Sequence, residues 1–541
     1  MKNYRYFLLA ALGLVAAPAL AQETYQDTKM AENGLNGTAR YVGMGGAMEA
    51  LGADISTIST NPAGVGLFRK NQVSISGGVV AQTDAENHVG YNDLNIDFNG
   101  KKSHVSFDQI GIVWSQPRNN GSSLNLAFNY HKSTDFGQIL TAANSLQQQV
   151  GEHTLQASQS KLTAIKYAYY NAVQGGDMVW TGVDANYENL MKTEENENGK
   201  ALYYYDGSQF AYGQYQKGYI GQYDFNISGS IHNRVWLGLT IGIHDVNYRS
   251  NSIYAEDYVG GANSTHYEEL KIDGTGYDLK AGIIFRPVAD SPFRIGAYVN
   301  TPVYYDLTMR GASDLLMSDG SSDAYMSDGK NTGASANECS YDYRLNTPWK
   351  AGVSLGHTVG SSLAVGATYE YAWYNHMDNR VKNGGYYDAW YGDYYETSSS
   401  DETMNENTRY SLKGVSTLKL GVEYKPVQMF AIRLGYNYVS PMFKEEGFRN
   451  QSLASAGTAY ATSSDYTNWK STNRFTAGVG FNYQNWAFDV AYQYTAQKGT
   501  FYPFMSYYDE ADATSNNNCI APATEVKNNR HQLLMTLSYK F

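Results

Sequence analysis

Segments of about ten residues in which apolar side chains alternate with small or polar ones recur along most of the chain after residue 70. Successive side chains of a β-strand point to opposite faces, so each segment is typical of a strand with lipid on one side and a polar interior on the other. A soluble β-sandwich can also alternate, but here the apolar faces end regularly in Tyr and Trp, as at the borders of a membrane. The clearest run has the outward residues Phe430, Ile432, Leu434, Tyr436 and Tyr438 and the inward residues Ala431, Arg433, Gly435 and Asn437. The pattern predicts an all-β fold, a transmembrane antiparallel β-barrel.

The connections between these segments define the barrel further. We predict about fourteen strands, near 71–81, 104–115, 123–134, 219–230, 234–248, 274–286, 293–305, 347–357, 362–375, 412–424, 429–440, 472–483, 486–498 and 529–541. Tight turns are predicted at 116–121, 232–233, 287–292, 426–427 and 484–485, and long connections at 82–103, 135–218, 249–273, 306–346, 376–411, 441–471 and 499–528. Short periplasmic turns opposite long extracellular loops are typical of the bacterial outer membrane. With an even number of strands, the segment 22–70 and the C-terminus both fall on the periplasmic side of the barrel domain, 71–541.

The longest of these connections, 135–218, is too long for an ordinary loop. Its part from Ala142 to Ile165 lacks Pro and is rich in Leu, Gln and Ala, which favours one or two short helices there. We expect this connection to form a lid or an interior plug.

The last strand alternates up to an aromatic C-terminal residue, with Tyr539 and Phe541 on its apolar face. This ending resembles the signal that the outer-membrane assembly machinery reads on barrel proteins. A sheet protein could end in this way by chance, but a soluble one gains little from it.

The first 21 residues have the features of a cleaved secretory signal peptide. Lys2 and Arg5 form a basic start, an apolar stretch follows, and Ala19-Leu20-Ala21 is a small-x-small cleavage site. We expect the mature chain to begin at Gln22, and an uncleaved anchor is the alternative. No later stretch has the run of about 20 apolar residues that a membrane helix requires.

Charge and cysteine content exclude several kinds of partner. The formal charge of −12, which loss of Lys2 and Arg5 would take to −14, disfavours nucleic acid as a partner. Many acidic residues lie in predicted loops such as 314–328 and 509–512, where they keep the loops solvated, and calcium binding is the alternative. Cys339 and Cys519 cannot form a zinc knuckle, but a disulfide between two loops remains open.

Glycine and small residues dominate the segment 22–70 that precedes the first strand. It contains Gly43, Gly45 and Gly46 in the run Gly-Met-Gly-Gly-Ala, and Asn61-Pro62-Ala63-Gly64. A dinucleotide-binding loop is excluded, because these glycines do not follow a strand of a βαβ unit. A barrel of about fourteen strands has a lumen that needs filling, so we expect this segment to be a plug. A flexible leader is the alternative.

These motifs resemble the N-terminal hatch of the FadL/TodX family of outer-membrane transporters of hydrophobic compounds. Thr347-Pro348-Trp349 and the segment 474–494 are also similar to family segments. The resemblance implies a fourteen-stranded barrel with a hatch at 22–70, Asn61, Pro62, Ala63 and Gly64 as gating residues, and no cofactor. It also implies passive uptake of hydrophobic compounds such as long-chain fatty acids, by loop capture, hatch movement and lateral exit into outer-membrane lipid. The alternative for Asn61-Pro62 is a plain turn before the first strand.

Two other functions remain open on the same fold. One is a shuttle of a secretion system that holds cargo proteins, although the loops here are long for that role. The other is a receptor for haem or aromatic compounds, which would use the many loop tyrosines. An enzyme is not expected, because the sequence has no Gly-x-Ser-x-Gly motif and its histidines are scattered.

Several charged residues are predicted to face the lumen. Lys419, Glu423, Arg433 and Asp489 should pair with one another to hold wall and plug together, because buried charges require partners. His244 also faces inward and should belong to a polar network.

Overall fold

The computed structural model describes residues 24–147, 160–162, 192–196, 199–203, 206–318, 324–327, 339–449, 464–506 and 521–541. Fourteen antiparallel strands form the wall of a barrel, as the sequence predicts. The first seven are β1 (Gln72–Gln82), β2 (Ser103–Pro117), β3 (Ser123–Asp135, continued by Gln138–Ser145), β4 (Gly207–Ile231), β5 (Val235–Tyr258), β6 (Asn263–Phe285) and β7 (Arg294–Asn300, continued by Tyr304–Ser318). The other seven are β8 (Cys339–Asn346, continued by Lys350–Val359), β9 (Leu363–Ala372, continued by Asp378–Asp388), β10 (Val415–Val427), β11 (Phe430–Val439), β12 (Tyr466–Tyr483), β13 (Trp486–Tyr502) and β14 (Thr524–Lys540).

The remaining elements lie before the wall or in the long connections. Helix α1 (Thr24–Ala31), helix α2 (Ala39–Gly43) and the 3-10 turns Ile55–Ser59 and Pro62–Leu67 precede β1, and helix α3 (Glu402–Ser411) precedes β10. Short 3-10 turns also occur at Asn119–Gly121 and Tyr374–His376. Additional strands are His88–Tyr91, Leu94–Asp97, Lys192–Asn196, Gly199–Tyr203, Ala324–Ser327 and Asp393–Ser400. Among the described helices, none is long and apolar enough to span a membrane.

The barrel closes because β14 pairs with β1 along the whole length of β1, from Gln72↔Lys540 to Gln82↔Arg530. Each wall strand is otherwise hydrogen-bonded to its neighbours in sequence. The short turns, such as 232–234 between β4 and β5, all lie at one end of the barrel, which we call the turn side. The long connections lie at the other end, the loop side.

The two faces of the wall strands agree with the sequence pattern. On β11, Ile432 and Leu434 are 42% and 56% exposed, whereas Arg433 and Asn437 are 3% and 2% exposed. The same alternation holds on β10, where Leu418 and Leu420 face outward. The wall therefore carries an apolar outer band around a polar interior, as a membrane-spanning barrel requires.

Several strands are longer than the sequence predicts. The connection predicted at 249–273 consists mostly of β5 and β6, which continue their ladder as far as Asp257↔Asn263. Beyond the membrane both faces of a strand can be polar, so the backbone pairing continues where the alternation of side chains ends. The predicted helix from Ala142 is also wrong at its start, because Ala142–Ser145 belongs to β3.

Other sequence predictions lie outside the described residues. These are the signal peptide 1–21, the pairing of Cys339 with Cys519, and most of the acidic loop residues considered for calcium.

Candidate functional site

The residues before β1, here called the N-terminal segment (24–70), run along the lumen from one end of the barrel to the other. At the loop side, the hydroxyls of Thr24 in α1 and Thr408 in α3 are 2.9 Å apart. At the turn side, Arg69 donates a hydrogen bond of 2.6 Å to Asn233 in the turn between β4 and β5. The prediction that both termini are periplasmic stays a prediction, and the described chain begins at the loop side.

A row of wall glycines marks the path of this segment. Gly356, Gly366, Gly421 and Gly435 lie directly opposite one another on β8, β9, β10 and β11. A Cβ atom at Gly366, Gly421 or Gly435 would overlap backbone atoms of Ala47, Met44 or Gly45, respectively. At Gly356 it would lie 3.0 Å from the backbone nitrogen of Leu51. Residues 44–51 therefore cross four strands in direct backbone contact with the wall.

The glycines of the N-terminal segment complete this contact. Gly45 has φ +62°, and a Cβ there would lie 2.8 Å from the nitrogen of Tyr436. Gly46 follows with φ +79°, so both residues adopt a conformation that favours glycine. Gly43 ends α2 against Gly478 of β12, and its carbonyl accepts a hydrogen bond of 3.2 Å from Thr476. The structure thus brings the three predicted glycines together against the wall.

Asn61 is fully buried and begins the 3-10 turn Pro62–Leu67 in the extended conformation that a following proline favours, with φ −105° and ψ 97°. Its side-chain oxygen accepts from the nitrogen of Ala63 at 3.2 Å. Its amide donates to the carbonyl of Glu49 at 3.1 Å and, in the wall, to that of Ile283 at 3.4 Å.

Wall glycines also accommodate this motif. A Cβ at Gly282 would overlap the side-chain oxygen of Asn61, and one at Gly238 would overlap Pro62. Gly64 lies close to Thr57 within the segment. Asn61 therefore joins the two halves of the N-terminal segment to each other and to β6.

Charged pairs fix the middle of the segment. The predicted pairing of inward charges with one another is confirmed for Glu423, Arg433 and Asp489, whereas Lys419 pairs with Glu49 of the segment. Lys419 of β10 contacts Glu49 at 2.7 Å. Arg433 of β11 bridges Glu423 and Asp489, each at 2.6 Å. Arg40 of α2 adds a contact of 3.0 Å to Glu423.

Two further polar contacts belong to this interior. Burial, reinforced by the carboxylate of Glu49, raises the pKa of the Tyr41 hydroxyl well above its usual range, so this hydroxyl stays a hydrogen-bond donor. His244 lies 3.4 Å from Asp278, which also contacts Lys280, so it belongs to a polar network as predicted.

The ladder between β2 and β3 is broken toward the loop side. It ends at Gln109↔His131, beyond which β3 pairs only with β4. The continuation Gln138–Ser145 passes β2 without pairing with it and reaches β1. There the side-chain amide of Gln82 donates to the carbonyl of Ile139 at 2.7 Å and accepts from its nitrogen at 2.8 Å. The hydrogen-bonded wall is therefore interrupted between Ser103–Asp108 of β2 and the second part of β3.

Asp135 lies at this break and holds its two sides together. Its carboxylate contacts His104 of β2 at 2.9 Å and Lys132 of β3 at 3.1 Å. It also contacts Arg530 of β14 at 3.3 Å and accepts from the nitrogen of Gly137 at 2.9 Å. Four attachments on one carboxylate make it the main polar connection across the break.

A cavity of about 140 Å³ lies between α1 and the wall, next to the same break. Asp135, Phe136 and Gln138 of β3 contribute to its lining, together with Tyr25 and Lys29 of α1. Around it lie buried aromatic clusters, one of which contains Tyr25, Phe443 and Tyr466. The cavity is therefore bordered by residues that lie at the interrupted part of the wall.

The predicted insertion signal lies on the turn side. Tyr539 pairs with Val73 of β1, and its ring is tilted by 47° against that of Trp486, with 4.7 Å between ring centroids. Phe541 is exposed, and its nitrogen donates to the carbonyl of Asn71 at 3.1 Å. These aromatic side chains form the outer rim of the barrel at the seam between β1 and β14.

Comparison with solved structures identifies proteins with a similar architecture. A FadL homologue from Pseudomonas aeruginosa is similar with a TM-score of 0.50 and 12% sequence identity, over 94% of this chain and 99% of that one. This chain has the fold of a FadL homologue. The toluene transporter TbuX from Ralstonia pickettii gives a TM-score of 0.48 at 12% identity, over 94% of this chain and 99% of that one. The toluene transporter TodX from Pseudomonas putida gives a TM-score of 0.45 at 10% identity, over 94% of this chain and 100% of that one. The sequence matches no protein-family model and no curated protein.

Sequence reasoning missed the wall glycines as a set, Asp135 and the cavity. Gly421 and Gly435 carried a signal, because both alternate inward on their strands. The sequence around each glycine does not show that four glycines are aligned across β8 to β11. The sequence around Asp135 likewise does not show which residues it contacts.

Proposed function

We propose that this FadL-like barrel is an outer-membrane channel for the passive uptake of hydrophobic compounds such as long-chain fatty acids. The observation that carries the proposal is the N-terminal segment lying against the wall glycines, which supports a hatch at residues 22–70 in a barrel otherwise wide enough to leak. The hatch contacts the wall through backbone packing, hydrogen bonds and the ion pairs Lys419–Glu49 and Arg40–Glu423, none of which belongs to the ladder between wall strands. It can therefore shift without breaking the ladder of the wall.

The proposed path runs from the loops to the cavity beside α1 and then to the break between β2 and β3. A long acyl chain gains about 0.8 kcal/mol for each buried CH₂ group, so lateral exit into lipid is more favourable than release into water. At the break in the described wall, exit would require no ladder hydrogen bonds between β2 and β3 to be given up, which supports its role as the exit. Asp135 and its partners would close it at rest.

Asn61 is the proposed gating residue of the hatch. Its amide connects Glu49, in the part of the segment that crosses β8 to β11, with Ile283 in β6. A movement of the hatch would have to break these bonds, which together contribute about 1 to 3 kcal/mol. The motif thus couples the closed position of the hatch to the wall.

Uptake of labelled oleate by a Gram-negative host without its own fatty-acid transporter tests the proposal. Cells that express the barrel should take up oleate faster than cells with an empty vector, with equal growth and membrane integrity. An expressed, folded barrel that gives no increase would contradict the uptake function. In planar bilayers, removal of residues 24–70 should raise the single-channel conductance, and an unchanged conductance would contradict the hatch.

A further inference from the structure

Residues 160–162 are buried against the loop-side ends of β5 and β6. Ser160 and Lys161 are fully buried, and Leu162 is 3% exposed. Lysine is almost never fully buried unless its ammonium group has a partner, because burial of an unpaired charge is costly. The side chains of β5 and β6 around Lys161 therefore decide whether this burial is stable.

Glu268 of β6 and Tyr254 of β5 hold the ammonium group. The nitrogen Nζ of Lys161 lies 2.5 Å from one carboxylate oxygen of Glu268. The other oxygen of Glu268 accepts a hydrogen bond of 3.0 Å from Ser252. The ammonium group also lies 5.1 Å from the ring centroid of Tyr254, within the range of a cation–π contact. A carboxylate and the face of an aromatic ring both attract a primary ammonium ion.

Glu256 of β5 holds the backbone of the same residues. Its carboxyl group accepts from the nitrogen of Lys161 at 3.0 Å and from that of Leu162 at 3.4 Å. The hydroxyls of Tyr254 and Tyr258 donate to it as well, at 2.9 and 2.6 Å. Glu256 is therefore fixed by its own strand and positions the backbone, while Glu268 takes the ammonium group.

The groups around the ammonium belong to one ladder. In the pairing of β5 with β6, Glu268 lies opposite Ser252, and Tyr254 is the next inward residue of β5. Lys161, by contrast, belongs to the connection between β3 and β4 and precedes Glu268 by 107 residues. The backbone pairing of the ladder does not depend on Lys161. If Lys161 leaves, a formed site with a buried carboxylate is left behind, and such a carboxylate needs a cation.

This site borders the cavity beside α1. Glu268 and Ser252 contribute to the lining of that cavity. The backbone of Lys161 is bonded to Glu256, which is closer to the loop-side end of β5. The ion pair of Lys161 and Glu268 therefore lies at the loop side of the cavity, where the proposed path enters it.

We propose that Glu256, Glu268 and Tyr254 form a site for a primary ammonium ion, here called the ammonium socket, and that Lys161 is its built-in occupant. Occupied in this way, the socket latches residues 160–162 at the loop side of the cavity, and ligand enters faster when the latch is open. The role in entry rests on the proposed uptake function, whereas the socket itself does not.

Chemical rescue tests the socket. Lys161→Ala removes the ammonium group and the carbon atoms next to it, and n-propylammonium supplies both. Binding is measured by calorimetry on the full barrel in lipid nanodiscs, with empty nanodiscs subtracted. The variant should bind n-propylammonium at least about tenfold more tightly than wild type, in which Lys161 fills the socket, and at least about tenfold more tightly than it binds 1-propanol. Glu268→Gln in the same variant should remove the difference between the two probes.

Lys498→Ala is the matched control, because Lys498 forms an exposed ion pair with Glu525 at 3.3 Å. This change should create no site for n-propylammonium. Equal binding of n-propylammonium by wild type and both lysine variants would overturn the socket. Equal binding of n-propylammonium and 1-propanol by Lys161→Ala would overturn it as well.

Hydrogen exchange tests the latch. Glu268→Gln keeps the size of the side chain and removes its charge, so the amides of Lys161 and Leu162 should exchange at least about tenfold faster than in wild type. Unchanged exchange in this variant would overturn the latch even if Lys161→Ala fails to fold.

Oleate uptake tests the role in entry. Lys161→Ala and Glu268→Gln should both raise uptake severalfold at equal surface expression, and Lys498→Ala should not. Faster amide exchange without any rise in uptake would overturn the latch as an entry control and leave the socket. Absence of uptake in wild type and variants alike, together with rescue by n-propylammonium, would reject the uptake function, and the latch with it, but not the socket.

Discussion

Replacement of Gly366 by Ala tests whether the N-terminal segment packs directly against the wall glycines. A Cβ at this position would overlap the carbonyl oxygen of Ala47 and lie 3.1 Å from the Cδ1 atom of Leu51. Overpacking of a well-packed interior costs about 1 to 3 kcal/mol. Without the segment, the same change should stabilise the barrel by about 0.4 to 1 kcal/mol, because alanine restricts the unfolded chain. The substitution should therefore have opposite signs in the two backgrounds.

The assay is urea unfolding of barrels in lipid vesicles, for the full chain and for a chain without residues 24–70. The second chain keeps the same pairing between wall strands as the full chain, because β1 and β14 close the wall without the segment. In the full chain the cost should appear first as increased protease cleavage of the segment, since local release is cheaper than global unfolding. Ala367→Val, on the lipid face of the same strand, is the control and should behave alike in both backgrounds. Destabilisation of equal size with and without the segment would refute the reasoning.

Three more results are expected. Asn61→Ala removes three hydrogen bonds, worth about 1.5 to 4.5 kcal/mol in total, and should lower oleate uptake severalfold at equal surface expression; uptake that simply follows expression would make the motif structural. Phe541→Glu should prevent assembly, and a normal heat-modifiable barrel in outer-membrane fractions would speak against an insertion signal. Asp135→Asn should loosen the break between β2 and β3 and raise the conductance of the full chain. The exposed pair His88 and Asp97 provides the control Asp97→Asn, and equal conductance in wild type and both variants would exclude Asp135 as a closing element.

Part of the candidate site could be read from the sequence. The sequence singled out Gly43, Gly45 and Gly46 as part of a predicted plug, and Asn61-Pro62-Ala63-Gly64 as a motif within it. Their partners could not be read, because Gly366 and Gly421 come more than 300 residues later in the chain. The prediction ended the third strand at 134, but it did not show that Gln138–Ser145 continues the strand and pairs with β4.

The sequence by itself determined the barrel, its fourteen strands and the direction of each side chain on β10 and β11. These features follow from the alternation of apolar and polar residues along each strand, because successive side chains of a strand point to opposite faces. Only the tertiary structure decided how the strands are set against one another and against residues 24–70. The alignment of Gly356, Gly366, Gly421 and Gly435 depends on the register of three ladders, and register is fixed by the packing of the whole closed wall around its contents.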